Sequence, residues 1–377
     1  MGRSSFMKIA QIAPLMESVP PRLYGGTERI VSYLCEELVA AGHDVTLFAS
    51  ADSITSAELA ACASQALRLD AGVKDPLPHY MAMVEQVRRR ASEFDLLHFH
   101  IDNVHFPVFA EMADRTLTTM HGRLDLPDLL PLFALFRQMP LTSISMSQRQ
   151  ALPTGRFVAN VYHGIPEALH SPRLLPRADR YLAFLGRMSR EKRPDLAIRI
   201  ARAAGMKLKL AAKVDPVDAE YFAREVEPLL GGDAEFIGEI GEREKTEFLG
   251  NAEALLFPID WPEPFGLVMI EAMACGTPVL AFDCGSVREV VDPGVTGNIV
   301  RSLDEAVRIL PRTLALNRSQ VRERFEQRFS SRAMAGGYIE LYESILGNSS
   351  NFAAPRRAGV SGVRTAEPTY ARQAGLV

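Results

Sequence analysis

The chain has 377 residues, of which 47% are apolar and 23% charged, with a net charge of −4 and a pI near 6.1. That length exceeds one ordinary core and predicts two domains of about 100 to 200 residues each, with a cleft between them. The slightly acidic balance excludes the basic field of a phosphate-backbone binder, so nucleic acid is not expected as a partner.

No apolar run reaches the roughly 18 residues of a membrane helix, so no transmembrane segment is expected, and the first six residues lack the apolar stretch of an export signal. Cys35, Cys62, Cys275 and Cys284 are scattered without CxxC spacing. A reducing, cytoplasmic setting is the expectation.

Lys8 to Ala13 reads as a strand, Thr27 to Ala41 as a helix with Ile30, Val31, Leu34 and Leu38 on one face, and Asp44 to Ala49 as the next strand. The alternation continues with a helix within Pro78 to Ser92 and strands at Leu96 to His100, Leu117 to Met120, Leu141 to Ser145 and Phe157 to Val161. One doubly wound sheet accommodates them. From His163 to Arg180, Pro166, Pro172 and Pro176 interrupt any periodicity, which predicts a linker.

The pattern then restarts: strand Tyr181 to Leu185, helix Pro194 to Ala204, strand Lys207 to Ala211, helix Val217 to Leu230, and strand Ala234 to Ile237. Helix Arg243 to Asn251, strand Ala254 to Phe257, helix Leu267 to Cys275, strand Pro278 to Ala281 and helices to about Ile345 follow. The fold class is therefore α/β. The expected division is 1–170, then 171–330, with a last helix near 331–346 free to pack back on the first unit and a loose tail at 347–377. Ligands bind beyond the carboxyl ends of such sheets, so two of them facing each other make one cleft.

The residues that carry chemistry concentrate in Trp261-Pro262-Glu263-Pro264-Phe265-Gly266-Leu267-Val268-Met269-Ile270-Glu271, where a strand passes into a helix. The two prolines keep Glu263 outside the helix, and Gly266 lets an anion approach the amides of its first turn. Glu271 lies two turns in, on a helix whose other residues are largely apolar. Its carboxylate can accept from two adjacent hydroxyls, as a ribose diol presents them.

Glu263 to Gly276, continued by Thr277-Pro278-Val279, resembles the donor motif of retaining glycosyltransferases of family four. The similarity runs over nearly the whole chain and implies the GT-B fold, two Rossmann-like domains facing a central cleft. It also implies contact of Glu263 with the transferred sugar, of Phe265, Gly266 and Leu267 with phosphate, and of Glu271 with ribose. A departing diphosphate carries on the order of two negative charges and a helix end offers only about half a positive one, so cations must be added. Gly186-Arg187 and Glu191-Lys192 are similar to the family's basic elements, and Arg187 and Lys192 are the candidates.

His121-Gly122 is similar to the family's cleft histidine, and His121 joins Glu263, Arg187 and Lys192 in the catalytic set. Tyr24-Gly25-Gly26 opens the first helix, where Gly26 admits the donor phosphate or the acceptor. His163-Gly164 stands at the family's Asn-Gly position and is assigned a structural role. His98 and His100 share one strand face, with Asp102, His105 and His121 downstream, and are read as lining a polar cleft rather than binding metal.

No Asp-x-Asp pair occurs, so neither a metal nor another cofactor is expected beyond a UDP- or GDP-sugar co-substrate. The expected activity is a metal-independent, retaining glycosyl transfer with front-face departure of the diphosphate, to a sugar, lipid-linked or small-molecule acceptor. Asp102, Asn103, Arg123 and Asp125 are the acceptor-side candidates. A nucleotide-sugar epimerase or phosphorylase of the same architecture and a non-catalytic nucleotide-sugar sensor remain as alternatives. A nicotinamide dehydrogenase is disfavoured because G-x-G-x-x-G is absent.

Overall fold

The computed structural model describes residues 6–22, 25–173 and 180–349. Tyr24, residues 174–179 of the predicted linker and residues 350–377 of the predicted tail lie outside that set. Strands β1 (Lys8–Ile12), β2 (Asp44–Ser50), β3 (Glu58–Ala63), β4 (Leu96–Phe99), β5 (Thr116–Thr119), β6 (Pro140–Ser143) and β7 (Arg156–Asn160) form one parallel sheet in the order β3-β2-β1-β4-β5-β6-β7. Strands β8 (Tyr181–Arg187), β9 (Lys207–Lys213), β10 (Ala234–Gly238), β11 (Ala254–Phe257), β12 (Val279–Phe282) and β13 (Gly297–Val300) form a second, ordered β10-β9-β8-β11-β12-β13.

The central strands are buried on both faces, as helices on either side of a parallel sheet require. β4, β5, β6 and β11 are buried at every position. In each sheet the strand order reverses beside the first strand, between β1 and β4 and between β8 and β11. That is where a crevice opens beyond the carboxyl ends. The loops leaving β5, β8 and β11 carry His121, Lys192 and Glu263.

The C-terminal helix Ser331–Ser349 returns to the first sheet. Its Met334, Ala335, Tyr338, Leu341 and Tyr342 are buried in one cluster with Ile30, Leu34 and Leu38 of the Gly26–Ala40 helix. Gly164 makes the crossing possible, because a Cβ there would lie 2.2 Å from the carbonyl oxygen of Ser330.

Most predicted elements are present, with ends moved by one or two residues. The predicted helix Val217 to Leu230 is broken into a 3-10 turn at Pro216–Asp218, a single α turn, a π turn at Phe222–Val226 and a 3-10 turn at Glu227–Leu229. Pro228 has no N–H and collides with the carbonyl four residues back, so a regular helix cannot run through it. The expectation overlooked β3 and β13. β3 reads Glu-Leu-Ala-Ala-Cys-Ala, poor in β-branched residues, and is only half-buried at the sheet edge. The last helix continues to Ser349, three residues into the segment expected to be loose.

Candidate active site

The facing carboxyl ends enclose a cleft of about 480 Å³. His121 and Gly26 reach it from the first sheet, and Arg187, Lys192, Glu263 and Glu271 from the second. Phe265, Gly266 and Leu267 complete its wall, so the predicted site residues share one cavity. A Cβ on Gly26 would stand 3.6 Å from Leu267, so the glycine turn of the first half faces the motif of the second.

The motif turn depends on backbone conformations that few residues adopt. Gly266 caps the Leu267–Ala274 helix at φ 80° and ψ 68°, and an added Cβ would meet Met269 at 2.8 Å and Phe257 at 3.1 Å. Gly285, on the loop after β12 at φ +59°, lies so close that a Cβ would come within 2.4 Å of the Glu263 nitrogen. Ser286 donates from its backbone nitrogen to the Glu263 carbonyl (3.0 Å) and from its hydroxyl to the Phe265 carbonyl (2.7 Å). Sequence reading missed this brace, because Cys284-Gly285-Ser286 has the composition of any loop.

Each motif glutamate has a lysine on it. Lys192 Nζ donates to Glu263 Oε2, which also accepts from Trp261 Nε1 at 2.9 Å, and the Lys192 ammonium faces the Trp261 ring at 5.3 Å. Lys245 Nζ donates to Glu271 Oε1 at 2.7 Å and pairs with Glu242 at 3.2 Å. Burial opposes the Lys245 ammonium, but the Glu271 and Glu242 carboxylates outweigh it and raise its pKa. Burial likewise opposes the Glu242 carboxylate, yet the His170 ring 3.3 Å away and the charges of Lys245 and Arg29 hold it below its usual value. Arg29 links the two halves through its 2.7 Å ion pair with Glu242. Lys245, Glu242 and Arg29 were absent from the sequence reading, since nothing in their local pattern separates them from a solvated helix face.

Arg187 is held more loosely, with Glu191 at 3.5 Å and Asp218 at 3.9 Å, and is 28% exposed. It is the cleft cation least committed to a carboxylate among the predicted pair.

His121 hydrogen-bonds through Nε2 to His100 Nδ1 at 2.8 Å, and its ring stacks on His163 at 5.1 Å. Burial pushes the His121 imidazole down to about 3 and lowers His98, His100, His105 and His163 well below their usual value, so all five are neutral at pH 7. His105 is fully buried against Phe99 and Thr118, away from the cleft. Of the acceptor-side candidates, Arg123 lines the cleft and is fixed by a two-point pair with Asp125 at 2.7 and 2.8 Å, whereas Asp102, Asn103 and Asp125 do not line it.

His170, Glu242 and Glu271 bring one ligand atom each within 4.8 Å of one another, close enough for a metal ion. The Lys245 ammonium already stands against both carboxylates, and Arg29 against one of them. A divalent cation would have to displace buried charges that balance the site, so the cluster is better matched to its present partners.

Residues 24–161 match the family model described as Glycosyltransferase Family 4, and residues 167–328 that described as glycosyl transferases group 1. The phosphatidyl-myo-inositol mannosyltransferase of Mycolicibacterium smegmatis is 26% identical, covering 90% of this chain and 95% of its own. The D-inositol 3-phosphate glycosyltransferase of Streptomyces coelicolor is 28% identical over 43% of this chain and 38% of its own. Among solved structures, AviGT4, a glycosyltransferase involved in avilamycin A biosynthesis, superposes with a TM-score of 0.70 at 23% identity, covering 90% of this chain and 98% of its own. Anabaena HepE in complex with UDP-glucose gives 0.65 at 18% identity, covering 90% and 100%. The superpositions identify the two-sheet architecture as GT-B.

Proposed function

Because the chain belongs to the family 4 glycosyltransferases of the group 1 type and is therefore a glycosyltransferase, we propose that it takes its sugar from a nucleotide diphosphate sugar and retains the anomeric configuration. The observation that supports this best is the placement of Glu263, the Gly266 turn, Glu271 and Arg187 around one cavity. Glu271 receives the ribose diol through the oxygen that Lys245 leaves open. The diphosphate meets the Leu267 and Val268 amides and the Arg187 guanidinium, with Lys192 at its edge. Glu263 faces the hydroxyls of the sugar.

The acceptor hydroxyl attacks the anomeric carbon from the side on which the diphosphate departs. The new C–O bond forms as the C1–O bond to phosphate breaks, and the acceptor proton passes to a phosphate oxygen. Charge grows on the diphosphate in that step, so Arg187 lowers the barrier more than it tightens the ground state. No protein carboxylate becomes a nucleophile. No metal is required, since the helix terminus, Arg187 and Lys192 provide the positive charge. Among described residues no helix is long and apolar enough to cross a membrane.

A thermal-shift series with UDP- and GDP-sugars selects the donor, because a ligand that binds only the folded state raises Tm. Transfer is then assayed with and without EDTA, on a panel that includes inositol phosphates and phosphatidylinositol, and the product anomer is read by NMR. Stabilisation by one nucleotide sugar and EDTA-resistant transfer with retention are expected. Inversion, loss of turnover in EDTA, or no response to any nucleotide sugar would each overturn the corresponding step.

A further inference from the structure

Behind His121 lies a line of buried polar groups that the transfer chemistry does not use. Gln11 of β1, His98 and His100 at β4, Thr119 of β5, and Tyr338 and Tyr342 of the C-terminal helix are joined in one hydrogen-bonded chain. All six are 3% exposed or less. The register places Gln11 beside His98 on adjacent central strands. Buried neutral groups so arranged must divide their protons without conflict, because a donor left without an acceptor costs about 1–3 kcal/mol.

Gln11 Nε2 donates to the Tyr342 hydroxyl at 3.0 Å, which leaves Gln11 Oε1 to accept from His100 Nε2 at 2.8 Å. His100 therefore carries its proton on Nε2 and accepts at Nδ1 from His121 Nε2, 2.8 Å away. His121 is thereby the Nε2–H form, with Nδ1 bare. Tyr342 donates onward to His98 Nδ1 at 2.7 Å, and His98 Nε2 donates to Thr119 Oγ1 at 2.7 Å. The reverse arrangement would put a proton on His121 Nδ1, a buried atom with no hydrogen-bond partner among the described residues. A rigid ring N–H cannot turn to find an acceptor, whereas in the first arrangement Thr119 passes its own proton to the Tyr338 hydroxyl at 2.9 Å, and that terminal hydroxyl can rotate.

We propose that Gln11 is a positioning residue, which through His100 fixes the tautomer and ring orientation of His121 at the sugar end of the cleft. The amide acts as a one-way connector: anchored by Tyr342 on one side, it offers only a carbonyl oxygen to the other. The C-terminal helix thus contributes to the cleft from behind, through Tyr342, without touching it. The kinetic consequence rests on the transferase reading above, while the tautomer does not.

The test uses the full chain labelled with 15N-histidine. Two-bond nitrogen–proton correlations should show His121 protonated at Nε2 between pH 6 and 8, with no ligand present. Gln11→Leu should give a mixture of tautomers and lower kcat/KM for transfer about tenfold, the loss of roughly one hydrogen bond. Binding of the sugar-free nucleoside diphosphate should remain as in the wild type. Gln11→Glu keeps an acceptor toward His100 and should keep the Nε2–H form, which supplies a second variant if Gln11→Leu does not fold. A proton on Nδ1 of His121 in the wild type, or a wild-type tautomer with wild-type kinetics in Gln11→Leu, would overturn the proposal. Absence of transfer alongside the expected tautomer would count against the transferase reading alone.

Discussion

Replacing Glu271 with Gln separates its ion pair with Lys245 from the ribose contact proposed for it. Its side chain is 7% exposed and that of Lys245 is 17% exposed, so the pair is largely desolvated. Removing one partner of a buried pair costs about 3–5 kcal/mol when nothing else compensates. Here Glu242 remains 3.2 Å from Lys245, which reduces the expected loss to about 2 kcal/mol. For a domain of this size that is roughly 4–8 °C in Tm. Donor binding should suffer separately, because a hydrogen bond to a charged group contributes about 1.5–3 kcal/mol and a ribose diol makes up to two. An increase in Kd of about ten- to a hundredfold for the nucleoside diphosphate follows.

The decisive set is the cycle of wild type, Glu271→Gln, Lys245→Met and the double variant, measured by thermal unfolding and by calorimetric titration of the nucleoside diphosphate. The double variant has no stranded charge on that pair and should recover at least half of the lost Tm. Its nucleotide binding should stay as weak as in Glu271→Gln, with Lys245→Met alone changing Kd less than about threefold. If the double variant binds as well as the wild type, Glu271 holds the fold and not the ribose, and the donor assignment fails.

Arg187→Ala should lower kcat by about 10²- to 10³-fold, the scale of losing one donor to a developing negative charge, with a smaller change in KM, and steady-state kinetics would expose an equal loss in both as ground-state binding. Gly285→Ala should weaken donor binding and lower Tm together, because its Cβ would press on the Glu263 nitrogen from 2.4 Å, and a wild-type thermal-shift response to donor would show that the brace is dispensable. His121 has a folded pKa of about 3 against 6.5 when exposed, so the unfolded chain binds more protons below pH 6.5 and stability must fall with acidification. That one ring accounts for about 2 kcal/mol between pH 8 and pH 5, and flat denaturant midpoints over this range would contradict its burial as a neutral base.

Much of the fold was legible because parallel sheets buried on both faces write themselves as short apolar runs separated by helices. Glu263, Gly266 and Glu271 were legible for a related reason: one strand–turn–helix carries all three. The broken helix after Pro216 was misread because apolar spacing outweighed Pro228, and β3 because an edge strand of alanines has no strong pattern. What stayed hidden was pairing across the chain. Gln11 and Tyr342 meet over 331 residues, and each by itself is an unremarkable polar or aromatic position.

The same distance effect conceals the charge balance of the cleft. Lys192 stands 71 residues before Glu263, and Lys245 stands 26 before Glu271. Both motif glutamates are therefore paired with a lysine, and Lys192, assigned from sequence to the leaving group, is seated on Glu263. On the proposed reading, a diphosphate with about two negative charges meets about half a charge from the helix terminus and one from Arg187. The shortfall falls to Lys192. Moving its ammonium from Glu263 toward phosphate would expose the glutamate just where the transferred sugar presents its hydroxyls. Lys192→Met should then weaken both interactions at once, raising KM for the donor and lowering kcat. Glu263→Gln, which leaves Lys192 free for phosphate, should lower kcat while nucleoside diphosphate binds as tightly as before or more so. If that variant binds the diphosphate more weakly instead, the lysine is not shared and Glu263 acts on the nucleotide itself.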